Sequence, residues 1–252
     1  KCRYGLMLNE DGMVYDDGVT TRLDENHYIM TTTTGGAANV LGKLEDYLQT
    51  EWPELDVYLS SVTDHYATAS ICGPNSKKIL NKLIPDLDLS DESFPHMSFK
   101  NAKINNIKCR IMRISFTGEH TYEINIQANY GEDLWKKCME AGEEFNITPY
   151  GTETMHLLRA EKGFIIVGQD TDGTMTPIDL QMDWIVSKKK YDFIGKRSLY
   201  RSDTMKEDRK QLVGLVTDNP TEVLEEGAQI IANTSLKPVE MLGHVTSSYY
   251  SP

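Results

Sequence analysis

The 252-residue sequence lacks the features that define several large protein classes. It has no apolar run near the roughly 20 residues that a membrane-spanning helix needs. Positive charge is scarce as well, because 26 Lys and Arg face 38 Asp and Glu, which gives a formal net charge of −12 at pH 7. Proteins that bind nucleic acid concentrate Lys and Arg to neutralise phosphates, so this composition argues against a general polyanion-binding protein.

Cysteine and histidine are few and scattered. The four cysteines have neither C-x-x-C nor metal-knuckle spacing, and none of the six histidines forms an i, i+4 pair. We therefore assign no metal and expect buried or indifferent thiols in a reducing, cytoplasmic compartment. The motifs G-x-G-x-x-G, G-x-x-x-x-G-K-[ST] and G-x-S-x-G are also missing, so a self-contained dinucleotide fold is unsupported.

The sequence does have ordinary globular composition, with 39% hydrophobic and 25% charged residues. Strand-like segments occur in adjacent groups, in the order β-β-β-α-β-β-α-β-β-α-α followed mostly by strands. This order predicts an α+β fold with largely antiparallel sheets. We expect residues 1–205 to form one region of interleaved α+β subdomains, and residues 206–252 to begin a C-terminal β-domain.

Local patterns place individual elements within this order. Turn chemistry at residues 9–12, between two apolar runs, predicts a β-hairpin. Further strands are predicted near Asp56–Val62 and Leu212–Val216, whereas Ser202–Lys210 is predicted to be an exposed linker. The chain opens without an initiator Met and ends just after a predicted strand, so we expect a piece of a longer chain.

Two acidic features stand out from this background. Asp16 and Asp17 lie in a predicted strand, whose alternation sends the two carboxylates to opposite faces. One could enter a cavity, although a solvated strand end is the simpler interpretation. Glu123 lies inside the apolar run Tyr122–Ile126, where a carboxylate needs a donor such as a guanidinium or an aminopyrimidinone edge. Arg110, Arg113 or Arg159 could also supply that donor from within the protein.

A third feature combines a helix end with an aromatic residue. Arg159 and Gly163 close a predicted helix, and Trp184 follows an acidic loop. A helical Arg can pair with a carboxylate, and the Trp offers a flat apolar wall. A capped helix and a core tryptophan explain the same residues without a ligand.

Taken together, these segments resemble the aminomethyltransferase, or glycine cleavage T-protein, family. The resemblance rests on four motifs in register over nearly the whole chain: Gly12–Asp17, Phe116–Ile124, Arg159–Gly163, and Trp184 followed by Asp192–Lys196. The resemblance is closer to one branch, the C-terminal region of heterotetrameric sarcosine oxidase α subunits. The segments carrying it are residues 30–35, 148–156 and 168–174.

The resemblance implies a folate-binding, one-carbon-transfer function. In that branch, sarcosine is oxidised at a flavin on another subunit, and the iminium passes to tetrahydrofolate to give glycine and 5,10-methylenetetrahydrofolate. FAD, FMN and NAD are then expected in the full complex but mostly outside this chain. The implied partners are a reduced folate and the β, γ and δ subunits, without nucleic acid or membrane, and an exposed sheet edge could cause self-association.

The family motifs also assign roles to single residues. Glu123 falls on the carboxylate that binds the pterin N3–H and 2-amino group. Asp16 falls on the catalytic aspartate, which would orient the nucleophilic amine and stabilise the iminium. Arg159 would hold an acidic group of the ligand or lock Glu123 in place, and Trp184 would pack against the ligand.

Two further positions depart from the family pattern. Thr32 falls where relatives often carry Asn near the pterin, and its hydroxyl could still form a hydrogen bond. Phe116 replaces the usual Tyr and so keeps the ring but loses the hydroxyl.

Two other functions remain open at this point. A free-standing aminomethyltransferase would act on a lipoyl-carried aminomethyl group. A folate-family fold could also serve as an interaction module without catalysis.

Overall fold

The computed structural model describes all 252 residues. The chain divides into two compact units, each with its own buried core. The first unit comprises Lys1–Tyr4 and Gly18–Met155, and the second comprises Gly5–Asp17 and His156–Pro252. No helix is long and apolar enough to cross a membrane.

Helices and antiparallel strands alternate in groups along the chain. The strands are β1 (Cys2–Leu8), β2 (Val14–Asp24), β3 (His27–Met30), β4 (Tyr66–Cys72), β5 (Phe99–Ile104), β6 (Ile107–Met112), β7 (Thr121–Gln127), β8 (Gln229–Ile231) and β9 (Met241–His244). The α-helices are α1 (Ala37–Thr50), α2 (Ser76–Leu83), α3 (Gly131–Gly142) and α4 (Thr152–Glu161). This confirms the predicted α+β class with antiparallel sheets.

The first sheet has the order β1-β2-β3. The turn between β1 and β2 is the predicted one, because the Gly12 amide donates to the Asn9 carbonyl at 2.9 Å and Gly12 has a φ of 85°. Gly18 permits the close approach of β2 to the residues after β3. A Cβ at position 18 would lie 1.8 Å from the carbonyl oxygen of Thr31, so a side chain cannot be accommodated there.

The second sheet has the order β4-β7-β6-β5 and lies wholly in the first unit. One face is apolar and packs against α2 and α3, because Tyr122, Ile124 and Ile126 alternate along β7 toward the core. The opposite face carries Glu123 and Asn125 with their cross-strand neighbours. We call this surface the polar face, and define it by Thr68, Ser70, Arg110, Met112, Glu123 and Asn125.

The second unit is built around a smaller core. Its buried members are Leu8, Val14, Ile165, Leu180 and Leu199. Most of Ser202–Lys210 is exposed as predicted, but the segment also packs within this unit, since Thr204 is 3% exposed. Arg209 also donates Nε to the buried carboxylate of Asp179 at 2.8 Å, which ties the segment to the unit.

Three strand predictions differ from the structure. Asp56–Val62 and Leu212–Val216 form no strand, although both have strand-like composition. Composition favours extended backbone only where a partner strand is present, and the side chains of Val57 and Val213 remain exposed. The third difference is β5, which was not predicted because its sequence is polar. It pairs with β6, and the two strands are joined by Asn105-Asn106, both with positive φ. Such a two-residue turn is typical of a hairpin.

Candidate functional site

Glu123 lies in the middle of β7, on the polar face of the second sheet. Ser70 of β4 stands opposite it on one side, and Met112 of β6 stands opposite it on the other. Both neighbours of Glu123 along the strand, Tyr122 and Ile124, are fully buried in the core. The strand alternation that packs those two residues therefore places the carboxylate on the other side of the sheet.

The Glu123 carboxylate forms no hydrogen bond and no ion pair within the structure. Burial raises its pKa from 4.5 to about 7, and no neighbouring donor opposes that effect. None of the three arginines considered from the sequence supplies a partner. Arg113 pairs with Asp91 at 2.7 Å and Arg159 pairs with Asp170, while Arg110 forms no ion pair.

A second pair of polar groups lies beside Glu123. The Cys72 thiol donates to the Tyr150 hydroxyl at 3.2 Å. Burial raises the pKa of Tyr150, and the contact with Cys72 raises it further, so the phenol stays protonated. Sequence reasoning missed Tyr150 and Cys72 as neighbours of Glu123. Tyr150 stands in one of the segments that carried the family resemblance, but nothing in that segment pointed to Glu123.

Arg110 of β6 lies on the same polar face as Glu123, at the next cross-strand pair along the sheet. It stands opposite Asn125 on β7, and its guanidinium carbon lies 5.6 Å from the centroid of the Tyr66 ring. Its Nε and Nη1 atoms are buried without a hydrogen-bond partner. Asn125 donates its side-chain amide to the Thr68 hydroxyl at 2.9 Å, and its carbonyl oxygen accepts from neither of these two nitrogens.

Thr32 and Phe116 also belong to the first unit. The Thr32 hydroxyl is half-buried and donates to the carbonyl oxygen of Thr33 at 2.9 Å. Phe116 is half-buried in the loop between β6 and β7. Their contacts with a folate stay predictions.

Asp16 lies on β2 in the second unit and is 2% exposed. Asp17, the next residue, is half-buried, so the two carboxylates differ in environment as strand alternation predicts. One Asp16 carboxylate oxygen accepts a hydrogen bond from the Asp17 amide at 2.8 Å. The charge of Asp16 contributes to a raised pKa of Tyr15, although burial of the phenol is the larger cause. A solvated strand end does not describe Asp16.

Arg159 is the centre of a buried polar network in the second unit. It is 2% exposed, and its guanidinium pairs with Asp170 and donates to the Ser247 hydroxyl at 2.6 Å. Asp170 in turn accepts from the Thr246 hydroxyl at 2.6 Å and from the Ile166 amide at 2.9 Å. The carboxylate partner of Arg159 is thus Asp170, and the structure gives Glu123 no such pair.

Trp184 is 70% exposed, on a short 3₁₀ turn at Asp183–Ile185. The interpretation of Trp184 as a core residue is therefore wrong. An exposed indole is available for a ligand or another protein surface, and its packing against folate stays a prediction.

Metal ligands do not cluster in the structure. No group of three or more His, Cys, Asp or Glu side chains is placed to hold a metal ion. All four cysteines are free, and only Cys72 is more than slightly exposed.

Comparison with known families shows which family the chain belongs to. The sequence model described as the GCVT N-terminal domain matches residues 1–190, which is three quarters of the chain. The chain belongs to the glycine cleavage T-protein family. A second model of this family, described as the glycine cleavage T-protein C-terminal barrel domain, matches residues 210–252. The predicted family membership is confirmed.

Two groups of T-protein family relatives are similar to the chain. It is 55% identical to the sarcosine oxidase subunit alpha of Corynebacterium sp. (strain P-1) and 44% identical to that of Rhizobium meliloti (strain 1021). These matches cover 99% and 100% of the chain but 26% of each relative, so the chain spans about a quarter of their length. The aminomethyltransferase of Clostridium botulinum (strain Okra / Type B1) is 30% identical over 99% of the chain and 64% of that relative.

A solved structure supports the T-protein fold. The glycine cleavage system aminomethyltransferase T from Bartonella henselae superimposes with a TM-score of 0.63 at 22% identity. The match covers 79% of this chain and 51% of that chain. The fold class predicted from the sequence is confirmed.

Proposed function

We propose that this chain is the folate-binding, one-carbon-transfer part of a sarcosine oxidase. It would transfer the one-carbon unit of oxidised sarcosine to tetrahydrofolate, giving 5,10-methylenetetrahydrofolate and glycine. The 44–55% identity to sarcosine oxidase α subunits over nearly the whole chain supports this assignment. The oxidation itself, with its flavin and NAD, is proposed to occur on other parts of the complex, including β, γ and δ subunits.

The single observation that carries folate binding is the unpartnered carboxylate of Glu123. A buried carboxylate without a donor is unfavourable, and its pKa of about 7 reports that cost. The pterin N3–H and 2-amino group form a parallel pair of donors that fits the two carboxylate oxygens. Binding of this edge would supply the hydrogen bonds that the folded protein leaves unmade.

The transfer step balances without an added reagent. The iminium CH₂=NH⁺–CH₂–COO⁻ gives its methylene carbon to tetrahydrofolate. This carbon forms one C–N bond to N5 and one to N10, and both components of its C=N bond to the glycine nitrogen break. The two N–H protons of tetrahydrofolate end on the glycine amine, which leaves as a zwitterion. In the proposed role, the carboxylate of Asp16 stabilises the cationic carbon and relays one of these protons.

Calorimetric titration of the protein with folinic acid, a stable reduced folate, tests this function. Saturable binding, weakened in Glu123→Ala, is the expected result. Glu132→Gln is the matched control, because Glu132 lies on the exposed surface of α3, where it pairs with Lys136. Absence of binding at millimolar folinic acid would leave a folate-family fold without folate chemistry and overturn the proposal.

A donor assay separates this function from that of a free-standing aminomethyltransferase. The sarcosine oxidase function predicts one-carbon transfer only when sarcosine is oxidised in the complete complex. Transfer from an aminomethylated lipoyl carrier, with no amine oxidation, would favour the aminomethyltransferase function instead. Binding of folinic acid with neither activity would favour an interaction module.

A further inference from the structure

Arg110 and Glu123 occupy diagonal positions on the polar face. Arg110 stands opposite Asn125, and Glu123 lies two residues before Asn125 on the same strand. Diagonal neighbours on one face of an antiparallel pair are roughly 7–8 Å apart, within reach of long side chains. The two groups have opposite charge, yet they form no ion pair, and each lacks a hydrogen-bond partner.

Burying two guanidinium nitrogens of Arg110 without a hydrogen-bond acceptor costs folding free energy. Its Nε and Nη1 are buried without an acceptor, and its guanidinium carbon lies 5.6 Å from the centroid of the Tyr66 ring. The neighbouring Arg113 shows the usual alternative, since it donates to the Asp91 carboxylate and the Phe94 carbonyl. The Tyr122 hydroxyl is unpartnered too, but a neutral hydroxyl costs far less to bury than a guanidinium.

We infer that Arg110 is a second ligand-recognition residue, which donates to the 4-carbonyl oxygen of the pteridine held by Glu123. This inference rests on the proposed folate function. In a pterin, the N3–H donor that suits Glu123 is flanked directly by the 4-carbonyl, an acceptor that a carboxylate cannot bind. A donor one step along the same face complements that acceptor, just as Glu123 complements the donors.

The diagonal position of Arg110 relative to Glu123 also indicates which part of the ligand Arg110 would contact. The glutamate carboxylates of a folate lie at the end of the molecule remote from the pterin ring. A residue diagonal to Glu123 is placed for the ring itself rather than for that tail.

Two ligands and two variants test the inference. Dissociation constants for folinic acid and for tail-free 5-formyltetrahydropterin are measured by calorimetry with the wild type and with Arg110→Met. We expect both ligands to bind about 10- to 100-fold more weakly to the variant, the usual loss for a charge-assisted hydrogen bond. Lys108→Met is the matched control, because Lys108 is an exposed cation on the same strand, and its constants should change less than twofold.

Thermal unfolding without ligand separates recognition from a structural role. Since Arg110 has no internal hydrogen bond to lose, Arg110→Met should melt at or above the wild-type temperature. Arg110→Lys should fold as well and should bind both ligands more weakly than the wild type, because an ammonium on a shorter reach replaces the guanidinium.

Three results would overturn the inference. Unchanged constants in both variants would show that Arg110 contributes nothing to binding. A loss confined to folinic acid would assign Arg110 to the glutamate tail. A lower melting temperature in both variants would assign it to the fold. Failure of the wild type to bind either ligand would instead refute the proposed function, so the two failures are distinguishable.

Discussion

Glu123 and Ser70 stand directly opposite each other in the β7–β4 ladder, yet no hydrogen bond joins the Ser70 hydroxyl to the Glu123 carboxylate. The nearby Cys72 thiol donates to the Tyr150 hydroxyl rather than to the carboxylate. Such a site is desolvated before any ligand arrives, and its donors must come from outside the fold. This arrangement makes Glu123 the most informative position for mutation.

Replacing Glu123 with Ala should abolish the two-point contact with a pterin. We expect the binding free energy of folinic acid to fall by about 2–4 kcal/mol, or roughly 30- to 1,000-fold in the dissociation constant. Calorimetric titration at pH 8, where the wild-type carboxylate is ionised, measures the change. An unaltered dissociation constant would remove Glu123 from the ligand site.

The raised pKa of Glu123 makes stability depend on pH. Its pKa is about 7 in the folded protein and near 4.5 when exposed, so the folded state holds the proton more tightly. Stabilisation by the neutral form is thus complete below pH 4.5 and is lost as the pH rises through 7. Glu123→Gln keeps a neutral side chain at every pH and should escape that loss.

Above pH 7, Glu123→Gln should therefore have a larger free energy of unfolding than the wild type, by on the order of 1–3 kcal/mol. The difference should disappear near pH 4.5. Denaturant unfolding of both proteins across this range, without ligand, gives the comparison. A constant difference at all pH values would mean that the Glu123 carboxylate is solvated in the folded protein.

The sequence singled out these residues as candidates but did not predict their hydrogen-bond and ion-pair partners. The apolar run Tyr122–Ile126 marked Glu123 as a carboxylate that needs a donor, and strand alternation separated Asp16 from Asp17. Whether a carboxylate finds a donor depends on residues distant in the chain, such as Asp91 and its pairing with Arg113. Spacing along the chain carries no information about that pairing, so three arginines remained possible partners.

The strand predictions failed for a related reason. Asp56–Val62 has the composition of a strand, but a strand exists only where another supplies its hydrogen bonds. β5 shows the reverse case, because its polar sequence hides a strand that pairs fully with β6. The Asn105-Asn106 turn was a usable signal for that hairpin.

Arg159→Met should destabilise the protein rather than act on ligand binding alone. Burial by itself would raise the pKa of Asp170, but hydrogen bonds from Thr246 and Ile166 and the charge of Arg159 hold that pKa below its usual range. Removing the guanidinium leaves a buried carboxylate without its cation, at a cost of about 3 kcal/mol. Arg201→Met is the control, since the Arg201–Asp203 pair is exposed and its loss should leave stability nearly unchanged.

Chemical unfolding of the two variants at pH 7 tests this expectation. Because the pKa of Asp170 is lowered, its contribution is present at neutral pH and is lost as the pH falls through the folded pKa. The gap between wild type and Arg159→Met should therefore narrow in acid. Equal stability of Arg159→Met and the wild type would mean that the buried network contributes little and would free Arg159 for the ligand role implied by the family motif.

Asp16→Asn tests the proposed catalytic carboxylate. The substitution preserves shape and the oxygen that accepts from the Asp17 amide, but it removes the negative charge. A carboxylate that stabilises the iminium and relays a proton contributes roughly 100- to 10,000-fold to the rate, so transfer to tetrahydrofolate should fall by at least about 100-fold. Folinic acid should still bind, and oxidation of sarcosine in the complete complex should continue.

The reaction products then show whether the one-carbon unit of sarcosine reaches tetrahydrofolate. With transfer blocked and oxidation intact, hydrolysis of the iminium should release formaldehyde in place of 5,10-methylenetetrahydrofolate. Asp17→Asn, which alters the half-buried neighbour on the same strand, should keep the wild-type product ratio. A wild-type ratio in Asp16→Asn would exclude a catalytic role for Asp16, whereas a loss of folinic acid binding would make it a binding residue, because transfer would then fail before the chemical step.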